Sequence, residues 1–317
     1  MFDIITFGSA TNDLFVQPNL KGKNDSFNLH SGKKIEIEKF LSETGGGATN
    51  SAVGFSRLGL ETGVIAKVGN DWAGHIIKAN LQKEKVNTKN LLFDKSFGTA
   101  LSLIFFKKKE DRTVFVYRGA SQNIKINEIN LKFFKTKYFY VSALSGKSLE
   151  TLIYLLKYAR SKNIKIVMNP GADEIEIPNL LKFVDILILN KQEAEKISGR
   201  KGINNILLSL HNLGPKIVAI TDGFNPVNVF SEGFVYTATP YNVNVENTLG
   251  AGDAFCSGFV SAIVKKFPIE KAINFGLLNS SSVIQHFGAK NGLLYYKTLK
   301  KYEIQLKQKF VIDKKKI

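Results

Sequence analysis

Between residues 137 and 223, short apolar runs alternate with helical ones, and this rhythm restricts the fold more than any other feature of the chain. Strand-like runs at 138–142, 164–168, 184–189 and 216–220 are separated by helical stretches at 147–161, 192–197 and 204–213. Strands that are apolar throughout must be covered on both faces, and helical crossovers between them impose parallel pairing. The same rhythm opens the chain, with strands at 3–7 and 62–68 and helices at 51–58 and 72–83. The expected fold class is α/β: a doubly wound, mostly parallel sheet with helices on both faces.

Two segments break the rhythm. Residues 14–40 are polar and alternate weakly, and 99–106 with 113–117 read as a hairpin around a charged turn at 107–112. Together they form an expected small β-sheet lid that excludes water from whatever lies beneath. The expected division is a main domain of residues 1–13, 41–96 and 119–296, a lid of 14–40 and 97–118, and a basic tail, 297–317. The tail reads as a solvated surface helix with a loose end. Runs at 227–230 and 234–239 read as a hairpin, and 251–265 and 269–287 as two helices.

Chemistry concentrates in Asn247-Thr248-Leu249-Gly250-Ala251-Gly252-Asp253, which opens the first of those two helices. Glycines there allow a sharp turn and close ligand approach. The first amides of a helix lack intrahelical partners and, with the dipole, favour an anion. A carboxylate beside phosphate is repelled unless it takes a proton from an attacking hydroxyl. This gives phosphoryl transfer, with Asp253 as base and the amides of Gly250, Ala251, Gly252 and Asp253 as anion hole. The alternative is a glycine-rich loop with an N-cap.

Polar residues recur at strand ends, where open parallel sheets bind ligands: Asp13, Asn169, Asn190 and Thr221. Asp13 either accepts hydroxyl hydrogens or caps a turn. Gly45-Gly46-Gly47 precedes a helix, and Asn50 offers both a donor and an acceptor to a sugar. Asn190 and Glu193 share one face of a helical turn; they suit either the water shell of magnesium or a reciprocal helix cap. Asp71 reads as an N-cap and His75 as an exposed helix residue. Asn279, within the last long helix, is either an ordinary polar position or a contact for a nucleotide base.

Net charge is +17, but apart from the tail the lysines are scattered, which argues against a nucleic-acid surface and leaves a field that draws in phosphorylated substrates. The single cysteine, Cys256, excludes an intrachain disulfide and a cysteine metal cluster. Residues 1–9 lack a signal layout and no apolar run spans a bilayer, so a cytoplasmic protein without membrane contact is expected. No G-x-x-x-x-G-K-[ST], H-E-x-x-H or G-x-S-x-G occurs.

Taken together, Gly45-Gly46 with Asn50, Gly69 with Asp71 and Gly74, Asn190 with Glu193, and the 247–253 motif resemble the ribokinase-like (PfkB) family of carbohydrate and nucleoside kinases, across nearly the whole chain. The resemblance implies an ATP-dependent kinase with a doubly wound domain and a β lid. It implies Asp253 as catalytic base with the Gly250–Gly252 anion hole, and Asn190 and Glu193 organising magnesium and phosphate. It puts Asp13, Gly45, Gly46, Asn50 and Asn169 on the acceptor. Thr248, Thr221 and Gly223 would lie along ATP, and Asn279 near its base. The family motif usually opens with Asp, which in some members helps bind an activating monovalent cation; Asn247 stands there, so that cation is left open. Pro226 stands near a place where a second glycine commonly follows the 221–223 turn.

The expected acceptor is a sugar. A nucleoside is the alternative, with Phe105, Phe115 and Tyr117 as stacking surfaces or as sheet core, and a sugar phosphate is another, with Arg112 or Arg118 as partner. A basic nucleic-acid-binding protein on the same fold is the non-enzyme alternative. A homodimer through the lid edges is also expected.

Overall fold

The computed structural model describes residues 1–19, 31–106, 112–171 and 177–317. Part of the expected lid (20–30) and most of its charged turn (107–111) lie outside the described residues. The chain opens with β1 (Phe2–Phe7), β2 (Thr11–Pro18), β3 (Ile37–Gly45), α1 (Gly47–Arg57), β4 (Thr62–Gly69), α2 (Trp72–Lys83) and β5 (Asn87–Asp94). The pair β6 (Ala100–Phe105) and β7 (Thr113–Tyr117) comes next. The alternating stretch then gives β8 (Thr136–Ser142), α3 (Ser148–Ser161), β9 (Lys165–Asn169), α4 (Ile177–Leu180), β10 (Ile186–Asn190), α5 (Lys191–Ser198), α6 (Ile203–Asn212) and β11 (Ile217–Asp222). The hairpin β12 (Asn225–Ser231) and β13 (Phe234–Ala238) precedes α7 (Ala251–Val264), α8 (Ile269–Val283), α9 (Leu299–Leu306) and β14 (Ile312–Lys316).

A ten-stranded sheet runs β14-β13-β12-β11-β10-β9-β8-β1-β4-β5. From β5 across to β11 every neighbouring pair is parallel; β12, β13 and β14 extend the sheet antiparallel. Alternation within the strands divides the core into two layers. Leu187 and Leu189 join Leu152, Leu155, Leu207 and Leu210 on one face. Ile186 and Ile188 join Phe255, Phe259, Leu277 and Leu278 on the other. Each such buried side chain contributes about 1.5–3 kcal/mol before chain entropy is counted.

From β1 the chain proceeds to β4 and β5 on one side, and the remaining parallel strands fill the other. The strand order therefore reverses between β1 and β8, which is where a crevice opens in such sheets. The β1–α1 connection closes over this point. The Ser9 hydroxyl accepts from the Gly47 amide at 3.1 Å and the Ser9 carbonyl from the Ala48 amide at 3.2 Å.

The second sheet has the order β3-β2-β6-β7, with β6 and β7 an antiparallel pair and β2 beside both β3 and β6. It takes in residues on both sides of the expected 14–40 segment: β2 starts at Thr11 and β3 ends at Gly45. Asp13 accordingly lies on a strand of the small sheet, not at the end of β1. The tail also differs from expectation. After α9 it forms β14, which pairs along β13 while the Lys314 ammonium sits 4.4 Å from the Phe234 ring centroid. Strand pairing uses backbone groups, so a lysine-rich sequence can still complete a sheet edge.

Candidate active site

Helix α7 starts without a side-chain cap, and Gly250 at the N-cap has φ 81°. That backbone is left-handed, and a Cβ there would also stand 2.5 Å from the Ala289 Cβ, so glycine is needed on both counts. The Ala251 amide donates within the turn to the Thr248 carbonyl at 3.3 Å, and Ala254 donates to Gly250 at 2.8 Å. Between them, the amides of Gly252 and Asp253 have no acceptor among the described residues. A Cβ on Gly252 would meet nothing within 4 Å. Ala251, expected in the anion hole, thus has its amide engaged in the turn, while the next two amides have no acceptor among the described residues. Helix α1, also led by glycine, differs: its first amides are taken by Ser9.

Asp253 sits in the first turn of α7, and its Oδ2 accepts from Asn50 Nδ2 at 2.9 Å across a separation of 203 residues. Burial pushes its carboxyl up to about 6; the Asn50 hydrogen bond and the Lys290 charge oppose the rise, and Asp13 adds to it. The Asn50 Oδ1 is buried with no partner among the described residues. Asp13 is buried and accepts from the Thr11 hydroxyl at 3.0 Å. Burial raises its pKa too, against hydrogen bonds from Ser102 and Thr11 and the Lys290 charge. Gly45 lies so close that a Cβ would collide with the Asp13 carboxyl, and Gly46 abuts the Ser9 carbonyl. Asp13, Gly45, Gly46, Asn50 and Asp253 therefore gather where the two sheets meet.

The small sheet also reaches the motif. Arg112 Nη1 donates to the Thr248 hydroxyl at 3.0 Å and approaches Asn247 Oδ1 at 3.5 Å. Asn247 Oδ1 accepts from the Leu249 amide at 2.7 Å, so the amide side chain folds the turn that an aspartate would fold.

Farther along the rim, Asn190 and Thr221 are register partners at the ends of β10 and β11. Asn190 Oδ1 accepts from the Glu193 amide at 2.8 Å and Glu193 Oε2 from the Asn190 amide at 3.0 Å, a reciprocal cap. Gly223 turns the chain with φ 59°. Asn169 Nδ2 donates to the Ile188 carbonyl at 2.9 Å, tying β9 to β10. Asp71 caps α2 through the Gly74 amide and also holds Thr99, a structural role.

Asn279 takes the ordinary polar position of its two alternatives in this structure. It is fully buried; Nδ2 donates to the Ala254 carbonyl and the Ser257 hydroxyl, and Oδ1 accepts from the Leu294 amide. It locks α8 to α7, with both amide hydrogens engaged. Phe115 and Tyr117 are not core either: they are 53% and 49% exposed on β7.

Sequence reasoning missed Lys290. It is 6% exposed, its Nζ has no hydrogen-bond partner among the described residues, and burial pushes its pKa down to about 8 despite Asp13, Glu43 and Asp253 nearby. Gly288-Ala289 before it reads as a helix stop, and no motif singles out the lysine beyond that stop. A separate cleft of about 780 Å³ is lined by Lys67, Asp94, Gln122, Glu128 and Lys147 and shares no residue with this site. Its buried cation, Lys67, is saturated by Asp94, Glu128 and the Asn123 carbonyl.

A doubly wound sheet with a small second sheet, meeting at an uncapped helix start and a raised carboxyl, defines a phosphotransferase-type architecture. Comparison with known proteins agrees. The pfkB family carbohydrate kinase pattern matches residues 1–294, and the chain belongs to that family. It is 28% identical over 270 residues to a ribokinase of Staphylococcus aureus, covering 82% of this chain and 88% of the relative. It is 24% identical over 313 residues to a 5-dehydro-2-deoxygluconokinase of Halalkalibacterium halodurans, covering 92% and 91%. The structure of Arabidopsis thaliana ribokinase complexed with ribose and ATP superposes with a TM-score of 0.80 at 20% identity, covering 97% and 99%. The protein is thus a kinase of the ribokinase fold. Among the described residues no helix is long and apolar enough to cross a membrane.

Proposed function

We propose that the protein transfers the γ-phosphate of ATP to a hydroxyl of a free sugar, with Asp253 as general base. One observation carries this: a carboxylate held by Asn50, with its pKa raised toward neutrality, beside helix-start amides that have no protein acceptor. A base whose pKa lies near the working pH takes a proton efficiently, and fixed amides stabilise charge as it develops. Asp13 and Asn50 Oδ1 accept from the acceptor's hydroxyls and align the reacting oxygen with Asp253. The amides of Gly252 and Asp253 receive the transferring group's oxygens, and Arg112 with Thr248 flanks them from the small sheet. Positioning and electrostatics then supply most of the rate.

The open cradle at Gly252 suits a phosphate, and the rim at Asn190, Glu193, Thr221 and Gly223 suits the rest of ATP. Glu193 and Asn190 would face the water shell of a magnesium ion, which neutralises phosphate charge when bound. The acidic surroundings of the acceptor, Asp13, Glu43 and Asp253, favour an uncharged sugar over a sugar phosphate. The exposed edge strand β7, with Val114, Phe115, Val116 and Tyr117, supports self-association through the small sheet, which light scattering of the purified protein would test.

Turnover of ATP measured against free sugars, sugar phosphates and nucleosides is expected to be fastest with a free sugar. Asp253→Asn is expected to keep ATP binding and lower turnover by roughly two orders of magnitude or more. Near-normal turnover in that variant would remove Asp253 from the role of base.

A further inference from the structure

The segment Ala289-Lys290-Asn291 is held in place by three contacts. The Lys290 carbonyl accepts from Arg57 Nη1 at 2.9 Å, and the same guanidinium grips Glu84 at 2.9 and 2.6 Å. The preceding Ala289 packs on Gly250. The following Asn291 donates to Glu43 Oε1 on β3 at 3.0 Å. The segment thus joins α1, the α7 turn and the small sheet, with the Lys290 side chain buried among them.

A buried ammonium ordinarily has hydrogen-bonded partners, because leaving it without them costs several kcal/mol. This one has none among the described residues, so it is not a structural ion pair. The charged groups around it are Asp13 on β2, Glu43 on β3, Asp253 on α7, and Glu84, which Arg57 already neutralises. Tyr140 and Cys256 lie behind Asp253 and are neutral, their burial raising both pKa values. His286 lies beside Gly292. One ammonium among three carboxylates does not make a site for an anionic ligand.

We propose that Lys290 is a positioning residue of the phosphoryl-transfer site: its ammonium is the counter-charge that lets Asp13 and Asp253 both remain ionised without itself hydrogen-bonding to either. A direct salt bridge would occupy the oxygens that must accept the acceptor's protons. A buried ammonium without a hydrogen-bond partner among the described residues stabilises the carboxylates through its charge without competing for their oxygens. This inference rests on the reading of Asp253 as base.

The test combines a titration with kinetics. In ligand-free protein labelled at aspartate carboxyl carbons, the Asp253 signal is identified by its absence in Asp253→Asn, and its midpoint is measured in wild type, Lys290→Met and Lys290→Arg. An opposite charge typically moves a nearby carboxyl by about 1–3 pH units. The midpoint is expected to rise by about one unit or more in Lys290→Met and to stay near wild type in Lys290→Arg. The acidic limb of kcat should move with it, with turnover recovering at high pH. An unmoved midpoint in a Lys290→Met protein of wild-type melting temperature overturns the proposal. Lys290→Gln serves where the methionine variant does not fold, and failure of both neutral variants to fold makes the residue structural and also overturns it. The carboxyl titration does not depend on turnover, so a fully active Asp253→Asn would sink the base assignment and leave this measurement standing.

Discussion

Lys67 and Lys290 are both almost wholly buried, at 3% and 6% exposure, yet they are built in opposite ways. Lys67 donates to Asp94 and Glu128 at 2.7 Å each and to the Asn123 carbonyl at 3.1 Å. Burial alone would lower its pKa, but the two carboxylates outweigh burial and raise it. Lys290 has the burial without the partners, and its pKa falls to about 8. The first lysine is spent on holding β4 to its neighbours. The second is left unsatisfied, as are the Asn50 Oδ1 and the α7 amides beside it. Several unpaired polar groups beside a raised carboxyl suit a ligand, and a saturated cluster marks where the fold is fastened.

The contrast can be broken most sharply at Lys67. Lys67→Met strands Asp94 and Glu128, so a loss of about 3 kcal/mol in denaturant-unfolding stability is expected, with turnover per folded molecule unchanged. A stable Lys67→Met protein with impaired turnover would reverse the assignment of the two lysines.

Asp253→Asn should have the opposite sign. The Asp253 carboxyl has a folded-state pKa of about 6, raised from 3.8. A raised carboxyl stabilises the native state while protonated, and that stability is lost as pH climbs through the folded value. At pH 8 the neutral asparagine is therefore expected to be more stable than the wild type by about 3 kcal/mol. The gap should narrow below pH 6 and vanish near pH 4, as measured by unfolding curves across that range. A variant that loses activity while gaining stability would place Asp253 in function and outside the fold's support.

The smallest effect is expected at Asn190. Asn190→Ser keeps an N-cap, so stability should stay within about 0.5 kcal/mol of wild type. If the amide also serves ATP, the KM for ATP rises; an unchanged KM assigns the residue to capping alone.

The sheet and its order of elements were legible because buried parallel strands leave continuous apolar runs, as at residues 184–189. The 247–253 turn was legible because glycines beside an acid are rare at an apolar helix start. What could not be read was how distant residues share one space. Nothing local tells that Asn50 reaches Asp253, or that Asn279 turns inward to Ala254 rather than out to a ligand. Lys290 looked like one lysine among many, because its meaning comes from surroundings contributed by β2, β3 and α7. The strand at the C-terminus was hidden because its pairing depends on backbone groups and on the free edge of β13, while Asp313 and its lysines speak only of solvent.

The placement of Asp13 on β2 has a mechanical consequence. Asp13, the proposed acceptor-binding carboxylate, belongs to the small sheet, whereas Asp253, the proposed base, belongs to helix α7, which packs on the large one. Any tilt of the small sheet would carry Asp13 away from Asp253, separating capture from chemistry. On the proposed reading, occupancy of the acceptor site and the relative pose of the two sheets would be linked through Asp13.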